Sequence, residues 1–433
     1  MNKAMLIFNI ICMFLPFTID VYANELNLVS IEPSDIKVGE QASITITGTG
    51  LSEIDSLILY PVDPFKRIIG KFHTECNIYE ILVRDNIAYL GNGECGLALV
   101  NIENLSSPKL IAAIDTPGCA SGICIVDNLI YIADRTGGLQ IVEFQYPSHL
   151  EMIGSISTRG EAEKIEIQGE YAYIADDNNS LQVIRISEPA KPQLVATNDI
   201  HRLGIDIELK NNVAYVTNFL YSLQVISIEE PDSPITVKII EPMVISPYGF
   251  CPEQMKIKDD FLFMTSNLFG EYGSFYSLDI HNPLNPKIIG ELPDTPGEDI
   301  TIYENKAYIT LYSDIKTIDI SNPAKPHLIE VISLRGHARA INVSDNIIYV
   351  GTKELLILSN SFVLPILNKE NMSIKTKLPE IRMPGQYALK VFQEDQSVEM
   401  VNAIHLRCVK GDINGDDLVD LTDAIIVMKK LSH

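Results

Sequence analysis

The sequence predicts an all-β protein dominated by a seven-bladed β-propeller, and three observations lead there. Short apolar runs of strand character recur along the chain, an aromatic marker returns at an interval in the forties, and each interval holds four such runs. The marker is Tyr89, Tyr131, Tyr173, Tyr215, Phe263, Tyr308 and Tyr349, spaced by 42, 42, 42, 48, 45 and 41 residues. A period of this size with four strands per copy is the signature of propeller blades. The copy from Lys164 to Thr197 is the clearest, with KIEIQ, YAYIAD, LQVIRI and QLVAT in succession.

At 433 residues the chain accommodates a ring of about 300 residues with smaller modules attached. With 33 Lys plus Arg against 57 Asp plus Glu, its formal charge is −24, so nucleic acid and anionic membranes are not expected partners. Residues 1–23 have a positive start at Lys3, an apolar core from Ala4 to Phe17 and a small-residue site at Val21, Tyr22 and Ala23. They read as a cleaved signal peptide; Asp20 ends the apolar run short of the roughly 20 residues a membrane span needs. The expected location is therefore secreted or at the cell surface, with no integral membrane segment after cleavage.

Residues 24–62 hold an apolar strand, a Pro and Gly turn, the alternating run SITITGTG and another strand. This resembles the opening of IPT/TIG immunoglobulin-like domains, with Leu51 in place of the usual aromatic. Residues 361–409 contain an alternating strand, a Leu-Pro, a Pro-Gly turn and YALKV, similar to the closing half of that family. The resemblance implies one immunoglobulin-like β-sandwich split around a propeller at 63–360. Two unrelated β extensions are the competing reading.

Within 63–360, the first strands of the copies run from ILVRD to INVSD, and the second from IAYLG to IYVGT. Only six fourth strands follow in register. The missing one is supplied ahead of the first copy by Arg67 to Phe72 (RIIGKF), which matches Lys287 to Leu292 (KIIGEL). A strand borrowed in this way closes the ring and removes its open edges. Third strands commonly stop at a doubled proline turn, as in Ile320 to Pro326, Ile186 to Pro192 and Ile280 to Pro286. Together, YAYIAD, LQVIRIS and this turn resemble the LVIVD family of propeller repeats, which implies a secreted or surface scaffold and says little about chemistry.

The C-terminal segment 410–433 reads GDINGDDLVDLTDAIIVMKKL from Gly411. Asp412, Asn414, Asp416, Asp420 and Asp423 fall at positions 1, 3, 5, 9 and 12 of a calcium loop, with the Leu418 carbonyl at position 7 and an apolar helix after it. The segment resembles one half of a type I dockerin, an EF-hand-like loop and helix with Ca2+ as its expected ligand. Position 6, usually Gly, is Asp417. A dockerin carries two such repeats, so a cohesin-like partner and a homodimer through this segment both stay open.

The propeller loops that join fourth to first and second to third strands carry Arg135, Arg159, His201, Arg202, Arg335 and His337. They are candidates for holding an anionic ligand, either an acidic glycan or a peptide carboxylate of a protein partner. Asp134, Asp176, Asp177, Glu161, Asp199 and Glu298 share those loops, which makes solvated ion pairs the plainer reading. Two long insertions, Glu241 to Pro252 and Asn267 to Ser274, add Tyr248, Phe250, Phe269 and Tyr272 as stacking candidates or as loop packing. Six cysteines remain after Cys12 leaves with the signal, and they allow fifteen pairings; Cys76 and Cys119 fall near one rim on adjacent blades, so a bridge between them and buried free thiols both stay open. No GxSxG, HExxH, P-loop or GxGxxG is present, so the expected function is non-enzymatic binding, with an extracellular carbohydrate-active enzyme as the alternative.

Overall fold

The computed structural model describes residues 67–359 apart from 179, 199–203, 219–221, 241–251 and 268–272, together with strands within 27–61 and 362–407. Two compact units divide the chain, one of residues 63–360 and one formed by both flanks. Within the first, seven four-stranded antiparallel sheets follow in order. Blades 1 to 6 span 80–114, 122–156, 162–198, 204–240, 252–292 and 299–333. Blade 7 takes three strands from 340–359, and its fourth is Ile68–His73, which pairs antiparallel with Glu354–Ser359. The borrowed strand read from RIIGKF is thus in place.

Each blade opens with a tight hairpin, which explains the Asp and Asn between first and second strands. Asp85 and Asn86 (φ 53° and 59°), like Asp345 and Asn346 (50° and 60°), hold the left-handed backbone that a two-residue turn demands. The second strands are buried along their length because each lies between two neighbouring sheets. The marker aromatics sit in these interblade layers: Tyr215 packs with Met255, Met264 and Leu278 of blade 5, and Phe263 with Ile300 and Ile309 of blade 6. A tyrosine suits the position because its ring is buried while its hydroxyl reaches outward. That of Tyr215 donates to the carbonyl of Pro283, 2.8 Å away, in the proline turn of the next blade.

The match between RIIGKF and KIIGEL has a steric cause. Gly70, Gly154 and Gly290 occupy the same place in their fourth strands, and a Cβ at any of them would fall inside the turn of the following blade, at Leu105, Pro189 and Pro323. The closing strand is also fastened at both ends. Arg67, almost fully buried, donates to Glu330 of blade 6 at 2.5 Å, and the Thr74 hydroxyl donates to the Lys353 carbonyl at 3.0 Å.

In the flanking unit, each of two sheets draws strands from both ends of the chain. One has the order Asn27–Glu32, Ser43–Thr49, Ser373–Lys377, Ile366–Glu370; the other has Asp35–Lys37, Gln396–Arg407, Gly385–Gln393, Ser56–Pro61, Phe362–Leu364. The cross-flank pairs Ser43↔Lys377 and Leu59↔Leu389 are antiparallel, and Asp35↔His405 is parallel. The loop ligands Asp412, Asn414, Asp416, Leu418, Asp420 and Asp423 lie outside the described residues.

One cysteine expectation is corrected. Cys76 is bonded to Cys95 within the same blade rather than to Cys119 on the next, and Cys119 and Cys124 are free thiols. The repeat explains this choice. In blade 2 the carboxylate of Asp134 accepts the Thr116 hydroxyl at 2.6 Å and the Gly118 amide at 2.8 Å, and in blade 3 Asp176 accepts the Gly160 amide at 3.1 Å. Counted from the marker tyrosine, Cys76 stands where Gly118 and Gly160 do, Cys95 where Gly137 does, and Asn92 where the Asp does. Blade 1 lacks the carboxylate clamp, the Asn92 Oδ1 is buried without a partner, and the disulfide holds the same two turns together.

Candidate functional site

The innermost strands line the axis, and their antiparallel register stacks one residue per blade into rings. Ten residues before each marker aromatic stand Tyr79, Ser121, Glu163, Ile205, Glu253, Glu298 and Arg339. All seven line one cavity of about 390 Å³ at the mouth of the axis. That volume falls in the range of small-ligand sites. Arg135, Lys164, Gln254, Asn267, Asp299 and His337 complete the wall, so only Tyr79 and Ile205 are not strongly polar. A second cavity of about 440 Å³ adjoins it, sharing Tyr79 and Arg135 and including Cys119 and Lys353.

Most charges in the mouth are committed. Arg135 pairs with Glu163 at 3.2 Å and lies 5.0 Å from the Tyr79 ring centre; its backbone, at φ 41°, is held by hydrogen bonds to Ala162 in both directions. His337 bonds Glu298 at 2.6 Å. Lys164 bonds Glu80 across the side-chain-free Gly122; burial opposes its charge, but Glu80, Asp299 and Asp206 hold it above its usual pKa. The Asp299 carboxylate accepts the amides of Ile300 and Ile341, each at 2.8 Å, tying blade 6 to blade 7. Burial nonetheless raises its pKa, as it does for Asp206, pushed up to about 6.

Three groups are left over. The Arg339 guanidinium rests 5.5 Å from the centre of the same Tyr79 ring and makes no ion pair among the described residues. Burial, reinforced by Glu298, pushes Glu253 up to about 8, so at neutral pH its carboxyl keeps a proton. Beside it Asn267, 9% exposed, hydrogen-bonds Glu253 and leaves its Oδ1 without a donor.

Of the residues expected at the rim, Arg135 and His337 come together in this mouth, while Arg159 and Arg335 are exposed away from its lining. His201 and Arg202 lie outside the described residues, as do Tyr248, Phe250, Phe269 and Tyr272. Asp134 and Asp176, expected as solvated ion-pair partners, are instead buried clamps that accept backbone amides. Tyr79, Arg339, Glu253 and Asn267 were missed. Aligning the copies on the marker and reading the tenth residue upstream finds the first three. No group of His, Cys, Asp or Glu among the described residues is arranged to hold a metal, and no helix among them is long and apolar enough to cross a membrane.

The closed ring of seven sheets and its axial mouth define a seven-bladed β-propeller. A family model described as the LVIVD repeat matches residues 78–116, 117–158, 159–199, 297–333 and 335–360, so the chain carries LVIVD repeats in blades 1, 2, 3, 6 and 7. Among solved structures, the chain is similar to the WD40 propeller domain of Doa1, at 12% identity over 68% of this chain and 96% of that one, with a TM-score of 0.54. The propeller domain of Cps50 (Swd1) from Myceliophteria thermophila follows at 9% identity, 67% and 98% coverage, and a TM-score of 0.54. The WD40 repeats of RRP9 give 11% identity, 71% and 99% coverage, and 0.53. At such identities these show the fold alone. No curated protein matches the chain.

Proposed function

We propose that the protein is an exported, non-enzymatic binding module that takes a protein or glycan at the propeller mouth. The observation that carries this reading is the mouth ring itself. Where the interblade core repeats, this one register position carries seven side chains of varied chemistry around an open cavity, and the one uncommitted charge among the described residues there is Arg339. Selection for packing alone has no use for such a ring, whereas recognition does. A screen of glycans and peptides against the full chain and Arg339→Ala tests it; binding that ignores the substitution refutes the location.

The flanking unit we read as an IPT/TIG-like immunoglobulin domain split by the propeller, and 410–433 as a dockerin-like segment that binds Ca2+ through Asp412, Asn414, Asp416, Leu418, Asp420 and Asp423. Strand pairing between the two flanks supports the first reading; ligand spacing in the sequence supports the second. Calorimetry of the full chain with CaCl2, against Asp412→Ala/Asp423→Ala, tests the calcium loop. The alternative of a carbohydrate-active hydrolase or lyase draws on Glu253, a protonated carboxyl beside the charged field of Glu298. Chromatography of the same glycans after incubation separates the two readings, since only an enzyme generates products.

A further inference from the structure

We propose that the mouth recognises an acidic sugar, a pyranose ring bearing one carboxylate and free hydroxyls, held between Arg339 on one side and Asn267 with Glu253 on the other. This rests on the reading of the mouth as a binding site and adds the chemical class of its ligand. The first argument is charge. Glu163 is occupied by Arg135, Glu298 by His337, and Asp299 by two backbone amides, while Lys164 is occupied by Glu80. Among the described residues of the wall Arg339 alone offers an unpaired charge, and a guanidinium is the planar fork that matches a carboxylate. Its position on the Tyr79 ring, which also bears Arg135, fixes the fork before a ligand arrives.

The second argument is hydrogen-bond complementarity. Asn267 presents a buried acceptor with no donor, and an unmade bond of that kind is costly until something fills it. Glu253, protonated at neutral pH, presents a hydroxyl donor next to it. A sugar hydroxyl donates and accepts from one oxygen and satisfies both neighbours at once. A peptide must bring a separate N–H and C=O into register to do the same, and among the described residues Ile205 is the wall's one aliphatic side chain. These two features favour a glycan over a peptide carboxylate.

Isothermal titration of the full chain with a trigalacturonate, its methyl ester and a C-terminal tripeptide tests the proposal, with melting temperature as the folding control. The acid is expected to bind at least tenfold more tightly than the ester. Arg339→Ala should erase that preference, and Arg339→Lys should restore only part of it because charge returns without the fork. Asn267→Ala should weaken acid and ester by the same factor. Equal affinity for acid and ester overturns the acidic-sugar assignment while leaving the mouth as a binding site. Capture of the tripeptide alone overturns the sugar. No binding of any of the three, by a chain that melts normally, overturns the acidic-sugar assignment; the binding-site reading then fails only if the wider glycan and peptide screen is empty too.

Discussion

Removing the Cys76–Cys95 bond and then rebuilding the carboxylate clamp of the neighbouring blades measures whether one substitutes for the other. The perturbation is Cys76→Gly/Cys95→Gly, followed by Asn92→Asp in that background. The bond spans 19 residues of sequence, and in the chain-entropy account a loop of this size contributes about 3 kcal/mol. For a cooperative unit of roughly 300 residues this lowers Tm by about 5 °C. An aspartate at 92 would draw the Thr74 hydroxyl away from the Lys353 carbonyl and take the residue 76 amide, as Asp134 takes Thr116 and Gly118. Two charge-assisted bonds contribute about 3 kcal/mol. Burial of the carboxylate, which raises the pKa of Asp134, together with loss of the Thr74–Lys353 bond leaves a net recovery of about 1 kcal/mol. Differential scanning calorimetry under oxidising and reducing buffer provides the readout. The equivalence is refuted if Asn92→Asp fails to raise Tm in the glycine background, or if it stabilises equally with the disulfide intact.

The ion pair of Arg67 and Glu330 fastens the closing strand, so Glu330→Ala should cost about 3–5 kcal/mol by leaving a buried guanidinium, while Arg67→Met/Glu330→Leu should cost far less; urea midpoints distinguish them. Gly70→Ala should destabilise by more than about 3 kcal/mol, because its Cβ meets the Leu105 backbone and not a movable side chain; failure to see aggregation or a lowered Tm contradicts the seam described here. Glu253 has a folded-state pKa above its unfolded value, so the native state holds the extra proton and stability falls as pH rises from about 4.5 to about 8. Glu253→Gln should flatten the slope of urea midpoint over that window and stabilise the protein most at pH 8.

The fold was legible because what repeats is the core. Tyr173 and its counterparts and the hairpin Asp and Asn residues mark contacts made seven times or nearly so, and the glycine shared by RIIGKF and KIIGEL marks one made three times. The site was less legible, for the converse reason. Attention to charged loops found Arg135 and His337 but passed over Tyr79 and Arg339, which differ in type though they share one register position. Asp134 and Asp176 misled for a related reason: a loop carboxylate read as surface charge can equally accept buried amides, and only the approach of the preceding loop distinguishes the two. Cys95 was hidden because pairing depends on turn geometry, which spacing along the chain does not disclose.

The borrowed strand also sets an order on how the ring can be made. Ile68–His73 is synthesised 281 residues (354 − 73) before Glu354, where its partner strand begins. At about 5–20 residues per second that is a wait of about 15–55 s. Blades 1 to 6 hold all their own strands and can mature during that interval, whereas blade 7 cannot. Its future edge, IIGKFH, passes the time unpaired, with Lys71 and His73 as its polar guards. Ring closure is therefore the propeller's last step, which only the pairing of 362–407 with 27–61 in the flanking unit can follow, and the seam is where a holdase would have most to protect.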